Sequence, residues 1–305
     1  MPCPHSPINI IHHSIERFSM RYVIAFSSPA GSTRKIGWAI KETLEELGRD
    51  FILTDLGRER NSLAAIQNFT GGDPFCLFIG TPVLRDLAAA PVMSLIGSLN
   101  PTPQSFAVPY CTWGGVASGI ALYQMAQALL DKGFLIPAAA RVISSHSIMR
   151  NIDNPLGEGR PNEEDEEAVK SMARLVVEAI DSGDRRSLDL QALDYPNPEL
   201  AAEMKKKLSA PMPVTPKTLD KELCTLCGVC ASECPAGAIV LDPEPRFSDL
   251  CFDCLNCFCL CPEKAISLPI SLEKMIEMIR NRSKTFNESP RTVVLSMLKR
   301  DAEPI

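Results

Sequence analysis

Tyr22-Val23-Ile24-Ala25-Phe26-Ser27-Ser28-Pro29-Ala30-Gly31-Ser32-Thr33 is a short apolar run that breaks into hydroxyls, proline and glycine. Apolar residues then return at helical spacing as Ile36, Ala39, Ile40, Leu44 and Leu47. The stretch reads as strand, loop, helix. The unit recurs, with strands at about 50–55, 75–80, 106–111 and 138–144 and helices at about 59–69, 91–99, 118–132 and 163–182. Five strands alternating with five helices predict an α/β fold with a parallel sheet covered on both faces. Right-handed crossovers leave few topologies, and the order 2-1-3-4-5 is the common one for a doubly wound five-stranded sheet.

In such a sheet ligands bind beyond the carboxyl ends of the strands. Three loops leave those ends: the one quoted above, Thr81-Pro82-Val83-Leu84-Arg85-Asp86, and Thr112-Trp113-Gly114-Gly115. The first opens a helix, whose unpaired amides and dipole suit a phosphate. It has neither the spacing of a Walker A loop nor that of a dinucleotide fingerprint. Its hydroxyls serve equally well as a plain helix cap, through Ser32 or Thr33. Trp113, beside two glycines, is placed to flank a planar ring, with a core tryptophan as the alternative. His146 follows the fifth strand and reads as a proton donor, a ring contact, a partner of the acidic run 163–167 or a simple loop histidine. Arg160 either closes over the site or meets that run.

Farther on, Cys224-x2-Cys227-x2-Cys230-x3-Cys234-Pro235 and Cys251-x2-Cys254-x2-Cys257-x3-Cys261-Pro262 repeat one spacing. It is the run of a bacterial-type ferredoxin with two [4Fe–4S] clusters, in which the fourth cysteine of each run serves the other cluster. This assigns Cys224, Cys227, Cys230 and Cys261 to one cluster, and Cys251, Cys254, Cys257 and Cys234 to the second. Zinc sites use separated ligand pairs, which does not match two four-cysteine runs with trailing prolines. The chain shows no secretory leader, which argues against disulfides. Cys259 reads as a free thiol beside a cluster, or as an alternative ligand or tuner. Cys76 and Cys111 lie in apolar runs and read as core residues.

The 305 residues, 45% of them hydrophobic, suffice for two domains. The expected divisions are an extension at 1–20 holding Cys3, His5, His12 and His13, an α/β domain at 21–182 and a proline-rich linker at 183–220. A small α+β cysteine domain at 221–268 follows, then a helix and a polar, uninformative tail at 269–305. The helix is expected over 271–282. No apolar run is long enough to cross a bilayer, so a cytoplasmic protein is expected. The formal net charge of −6 disfavours a nucleic-acid partner. Between 221 and 268, seven acidic residues (Glu222, Glu233, Asp242, Glu244, Asp249, Asp253, Glu263) outnumber Lys221, Arg246 and Lys264. A redox protein with a basic docking face is therefore the expected partner.

Taken together, these motifs resemble two-domain fusions of a flavodoxin-like domain with a C-terminal two-cluster ferredoxin, over about residues 21–268. Ser28-x-Ala30-Gly31-Ser32-Thr33 resembles the flavodoxin phosphate loop, with Ala30 where that family usually has threonine. Leu84 stands where such domains often carry an aromatic residue. The resemblance implies one FMN and two [4Fe–4S] clusters, with FMN contacts from Ser28, Ala30, Gly31, Ser32, Thr33, Thr81, Pro82, Val83, Leu84, Arg85, Thr112, Trp113, Gly114 and Gly115. An electron relay between the clusters and FMN is the expected function. A reductase whose FMN acts on a small-molecule acceptor, and an interaction subunit with a vestigial flavin site, are the alternatives. No nicotinamide site is legible.

Overall fold

The computed structural model describes residues 20–209 and 213–298. The expectations for Cys3, His5, His12, His13 and Pro211 fall outside those residues. The α/β domain runs β1 (Arg21–Phe26), α1 (Ser32–Glu46), β2 (Phe51–Asp55), α2 (Ser62–Thr70), β3 (Phe75–Leu84), β4 (Leu87–Ala88), α3 (Ala90–Ser98), β5 (Phe106–Trp113), α4 (Ala121–Asp131), β6 (Ala138–Ile143) and α5 (Glu163–Asp181). The parallel strands lie in the order β2-β1-β3-β5-β6, which is the flavodoxin-like 2-1-3-4-5 arrangement. Tyr22, Ile24 and Phe26 of β1 pack into the layer with α1 and α5, whereas Val23 and Ala25 face the layer with α3 and α4. Burial on both faces is why β1 reads as unbroken apolar sequence rather than an alternation.

Two strand ends differ from expectation. β3 continues to Leu84 because β4 folds back and pairs with Val83 and Leu84. Only Arg85 and Asp86, both with positive φ (50° and 78°), form the turn between them. β5 continues to Trp113, which pairs with Ile143 of β6.

The linker is wound onto the domain. Leu188 and Leu193 are buried in the α3–α4 layer, and Leu188 donates its amide to the Ile136 carbonyl at 2.7 Å. A short helix, α6 (Pro198–Lys205), starts where Asn197 caps two amides and Pro198 occupies the first turn. The cysteine domain follows as β7 (Thr218–Leu219), α7 (Val229–Ser232), β8 (Ile239–Leu241), β9 (Pro245–Phe247), α8 (Asn256–Leu260) and β10 (Ile266–Ser267). β7 pairs with β10 and β8 with β9, both antiparallel.

After α9 (Leu272–Phe286), which is longer than expected, the chain re-enters the large sheet. β11 (Val293–Ser296) pairs antiparallel with β6, from Val293 opposite Arg141 to Ser296 opposite Ala138. The tail expected to be uninformative thus supplies an edge strand, and with β4 the five parallel strands gain two antiparallel ones, making seven. The cysteine domain is bounded on both sides by segments packed on the α/β domain.

Candidate functional site

The two cysteine runs fold as matched halves. Leu226 and Asp253 occupy the same position and share the left-handed conformation (φ 58° and 60°), and Gly228 and Leu255 do so two residues later (φ 77° and 57°). Such successive turns wrap backbone amides round an anionic body. The Ala238 amide donates to Cys234 Sγ at 3.2 Å, and at the matching place the Ala265 amide donates to Cys261 Sγ at 3.3 Å.

Cys224, Cys227, Cys230 and Cys261 line one pocket, bordered by Leu219, Val229, Pro245 and Ile266. Around Cys254 stand Cys257, Cys234 and Cys251, near enough for their charges to raise its pKa. The donors therefore gather into the two crossed sets expected from the spacing. Among the described residues no three Cys, His, Asp or Glu side chains close round a point as the ligands of one ion do. The first set instead borders its pocket with four sulfurs. Burial pushes the Cys254 thiol up to about 12 and Cys257 up to about 11. Both are therefore protonated at neutral pH unless a metal draws off the proton. Cys259 joins neither set: its Sγ lies 3.9 Å from the Ser147 carbonyl oxygen, and burial raises its pKa.

At the carboxyl edge of the large sheet, Gly31 (φ 96°) opens α1 and a β-carbon there would meet nothing within 4 Å. Ser28 Oγ accepts from the Arg34 amide at 2.9 Å, and Thr33 shares a hydrogen bond with Thr112 at 2.8 Å. Ser27 Oγ is buried and has no partner among the described residues. Arg34 reaches across to Asp55 at 3.1 Å. Beside this loop an opening of about 280 Å³ is lined by Ser28, Pro29, Arg34, Asp55, Gly57 and Arg58 on one side, and by Ser232, Glu233 and Pro235 of the cysteine domain on the other. The two domains approach closely here, since a β-carbon at Gly57 would lie 2.8 Å from that of Pro235.

In the second loop Thr81 is buried and its hydroxyl accepts from the Ala89 amide at 2.8 Å, while Val83 and Leu84 are half-buried in β3. Arg85 points away from this edge into the cysteine domain, where it meets Asp253 at 2.6 Å. In the third, Trp113 is buried rather than displayed, and its indole Nε1 has no acceptor among the described residues. Gly114 packs against His146, and the Gly115 carbonyl accepts from Ser283 of α9 at 2.9 Å. Arg160 pairs with Asp165 of the α5 capping box at 2.6 Å, so of its two expected roles the acidic cap is the one observed.

His146 Nδ1 is also buried without a partner, and burial pushes the imidazole down to about 4. An unfolded histidine takes up its proton near pH 6.5, so the unfolded chain binds more protons than the folded one between that value and about 4. The stability gained by keeping His146 neutral is complete above that range and is lost as the pH falls through it. Between about pH 7.5 and 5.5 the loss should reach about 1.4 kcal/mol. Urea unfolding of the cluster-loaded protein at both pH values should show it, and His146→Gln should remove the difference.

Sequence reasoning missed Lys217. Its buried ammonium donates to Asp253 Oδ1 at 3.1 Å, to the Thr215 carbonyl at 2.9 Å and toward Cys251 Sγ at 3.6 Å. Burial opposes its charge, yet Asp253, Cys251 and Cys257 together hold its pKa above the ordinary lysine value. Asp253 also accepts from Arg85 and from Thr215. Arg150 to Asn256 at 2.9 Å, Asn151 to the Cys259 carbonyl at 3.3 Å and Arg58 to Glu233 at 3.4 Å complete the contact. The second cysteine set therefore faces the carboxyl edge of the large sheet. Nothing in the local sequence of a proline-rich linker marks a cation for this position.

Residues 217–240 match the family model described as a 4Fe-4S binding domain. No curated protein matches the chain. Among solved structures it is similar to the rubredoxin oxygen:oxidoreductase of Desulfovibrio gigas, at 20% identity and a TM-score of 0.41 over 53% of this chain and 36% of that one. It is also similar to a flavodoxin from the domain Archaea, at 16% identity and 0.40 over 53% and 99%. Flavodoxin 2 of Bacillus cereus gives 14% and 0.39 over 53% and 99%. The chain spans about a third of the length of the oxidoreductase.

Proposed function

We propose that this protein is an electron-transfer iron–sulfur flavoprotein, relaying electrons between two [4Fe–4S] clusters and an FMN. The observation that carries the reading is the placement of the second cysteine set against the loop edge of a flavodoxin-like sheet. The cysteine sets fit cubanes in donor chemistry and in their grouping by fours. The edge fits a flavin phosphate through the open face at Gly31, the first amides of α1 and the unpartnered Ser27 hydroxyl. The unpartnered Trp113 indole and His146 imidazole, at the ends of β5 and β6, are polar atoms that a ring edge there would satisfy.

FMN supplies the ability to exchange electrons singly or in pairs, and the clusters pass them one at a time. The chain's own part is to hold these groups and set their surroundings. Ser28, Gly31, Ser32 and Thr33 would hold the phosphate, and Thr81, Pro82, Val83, Leu84, Thr112, Trp113, Gly114 and Gly115 would border the ring. Arg34 offsets the charge of Asp55 beside the phosphate place. Arg85, which the resemblance puts among flavin contacts, is better assigned to holding the cysteine domain. Amides directed at Cys234 and Cys261, burial and the Lys217 charge are the means of setting cluster potentials.

Anaerobic purification with cluster reconstitution, followed by acid release of cofactors, tests the reading. Stoichiometric FMN with about eight irons per chain is expected; a protein that takes up iron and binds no FMN would sink the relay. Ala30→Thr restores a hydroxyl beside the phosphate place and should tighten FMN about fivefold by fluorescence titration, the equivalent of ~1 kcal/mol.

A further inference from the structure

We propose that the first cysteine set is the port through which electrons enter or leave the protein, and that its exposed wall docks a redox protein presenting an apolar spot ringed by lysine and arginine. The inference deepens the relay reading and rests on the cluster-binding part of it.

The asymmetry lies in two halves that are otherwise matched. At one shared position the second half carries Asp253, buried and held by Arg85 and Lys217. The first half carries Leu226, half exposed to solvent. One residue later Cys227 is exposed, whereas its counterpart Cys254 is not. Thr225, Leu226 and Cys227 form a wall of the pocket that the first set lines, and all three face water. A partner touching that wall would be separated from the cluster by little more than one side-chain layer. The second set is the more covered of the two: Arg85, Arg150 and Asn151 of the α/β domain meet its loops, although Leu250 beside Cys251 is exposed.

The wall is apolar at its centre and acidic at its rim. Leu223, Leu226 and Leu241 are each more than two-fifths exposed. Leu241 lies over the 226–228 turn, 3.4 Å from where a β-carbon of Gly228 would be. Exposed large apolar side chains gathered round a functional group mark an interaction surface. Glu222, Asp242 and Glu263, all exposed, make no ion pair among the described residues. Lys221 is spent on Glu244 at 2.7 Å, leaving Arg246 and Lys264 as the basic exceptions. A second copy of the chain would bring two acidic rims together, so a basic partner is the occupant the charges favour.

Cytochrome c, whose haem edge is ringed by lysines, serves as the probe in stopped-flow oxidation of the photoreduced, cluster-loaded protein. The second-order rate should fall steeply with added salt. Leu226→Lys with Asp242→Lys should lower it about tenfold at low ionic strength, with iron content and the EPR signals of the reduced clusters unchanged. Leu241→Lys with Asp242→Lys tests the same rim farther from the ligands, should the first pair disturb cluster loading. Ala202→Lys with Glu203→Lys, on α6, changes the net charge by the same three units and should leave the rate within about twofold, so that net charge alone is controlled for. Equal rates in wild type and rim variants, with both clusters present, would overturn the port. So would a dimer in sedimentation velocity that the rim variants dissolve. Failure of the wild-type chain to hold clusters would instead remove the relay reading itself.

Discussion

Cys234→Ala, purified and reconstituted without oxygen, should carry about half the iron of the wild-type chain, while Cys259→Ala carries all of it. The contrast follows from where the two sulfurs lie. Cys234 belongs to the first run in sequence, yet it stands with Cys251 and Cys257 around Cys254 and accepts the Ala238 amide. Cys259 lies inside the second run, yet it turns toward the Ser147 carbonyl oxygen. With Cys234 gone, the second set keeps Cys251, Cys254 and Cys257, and iron analysis with EPR of the dithionite-reduced protein should show the first cluster alone. Equal iron loss in the two variants would refute the crossed assignment. Because the remaining cluster is the one at the exposed wall, Cys234→Ala should still exchange electrons with an external protein while losing communication with FMN.

Asp253→Ala is expected to have the second large effect, on stability and on domain docking together. Asp253 is buried, adopts a left-handed backbone conformation and is the shared acceptor of Lys217, Arg85 and Thr215. Removing one member of a buried ion pair typically costs about 3–5 kcal/mol, because the other charge stays behind without its partner. The lower end applies here, since Lys217 keeps the Thr215 carbonyl and the Cys251 sulfur nearby. Urea unfolding should show that loss, and limited proteolysis should find the 213–217 segment newly accessible as Arg85 releases the cysteine domain. Lys217→Met in the same chain should recover part of the stability by removing the stranded charge. A double variant no more stable than Asp253→Ala would show that the carboxylate acts through Arg85 and Thr215 alone.

How far the fold was legible depended on whether local sequence or distant pairing decided each element. β1, its loop and α1 were readable because burial on both faces writes an unbroken apolar run, and a 3.6-residue period follows it. The end of β3 was not, because Val83 and Leu84 become strand only when β4 folds back on them. β11 was least legible of all: four residues in a polar tail, made a strand by an edge more than a hundred residues upstream. The cysteine sets were legible because cubane ligation imposes a rigid spacing. Lys217 and the turn of Arg85 toward Asp253 were not, since both depend on how two domains meet.

The return of β11 to the edge of β6 bears on how the chain is made. During synthesis the α/β segment leaves the ribosome long before residue 293, so β6 must wait with an unpaired edge while the cysteine domain emerges. An open edge strand is a template for pairing with other chains. The completed chain covers it only after the eight cysteines of the two runs have been made and α9 has found its seat on Gly115. The cysteine domain is therefore made before the large sheet is complete. A nascent chain starved of iron should accumulate with β6 uncovered, and aggregation of such chains would be a failure of the sheet rather than of the cysteine domain.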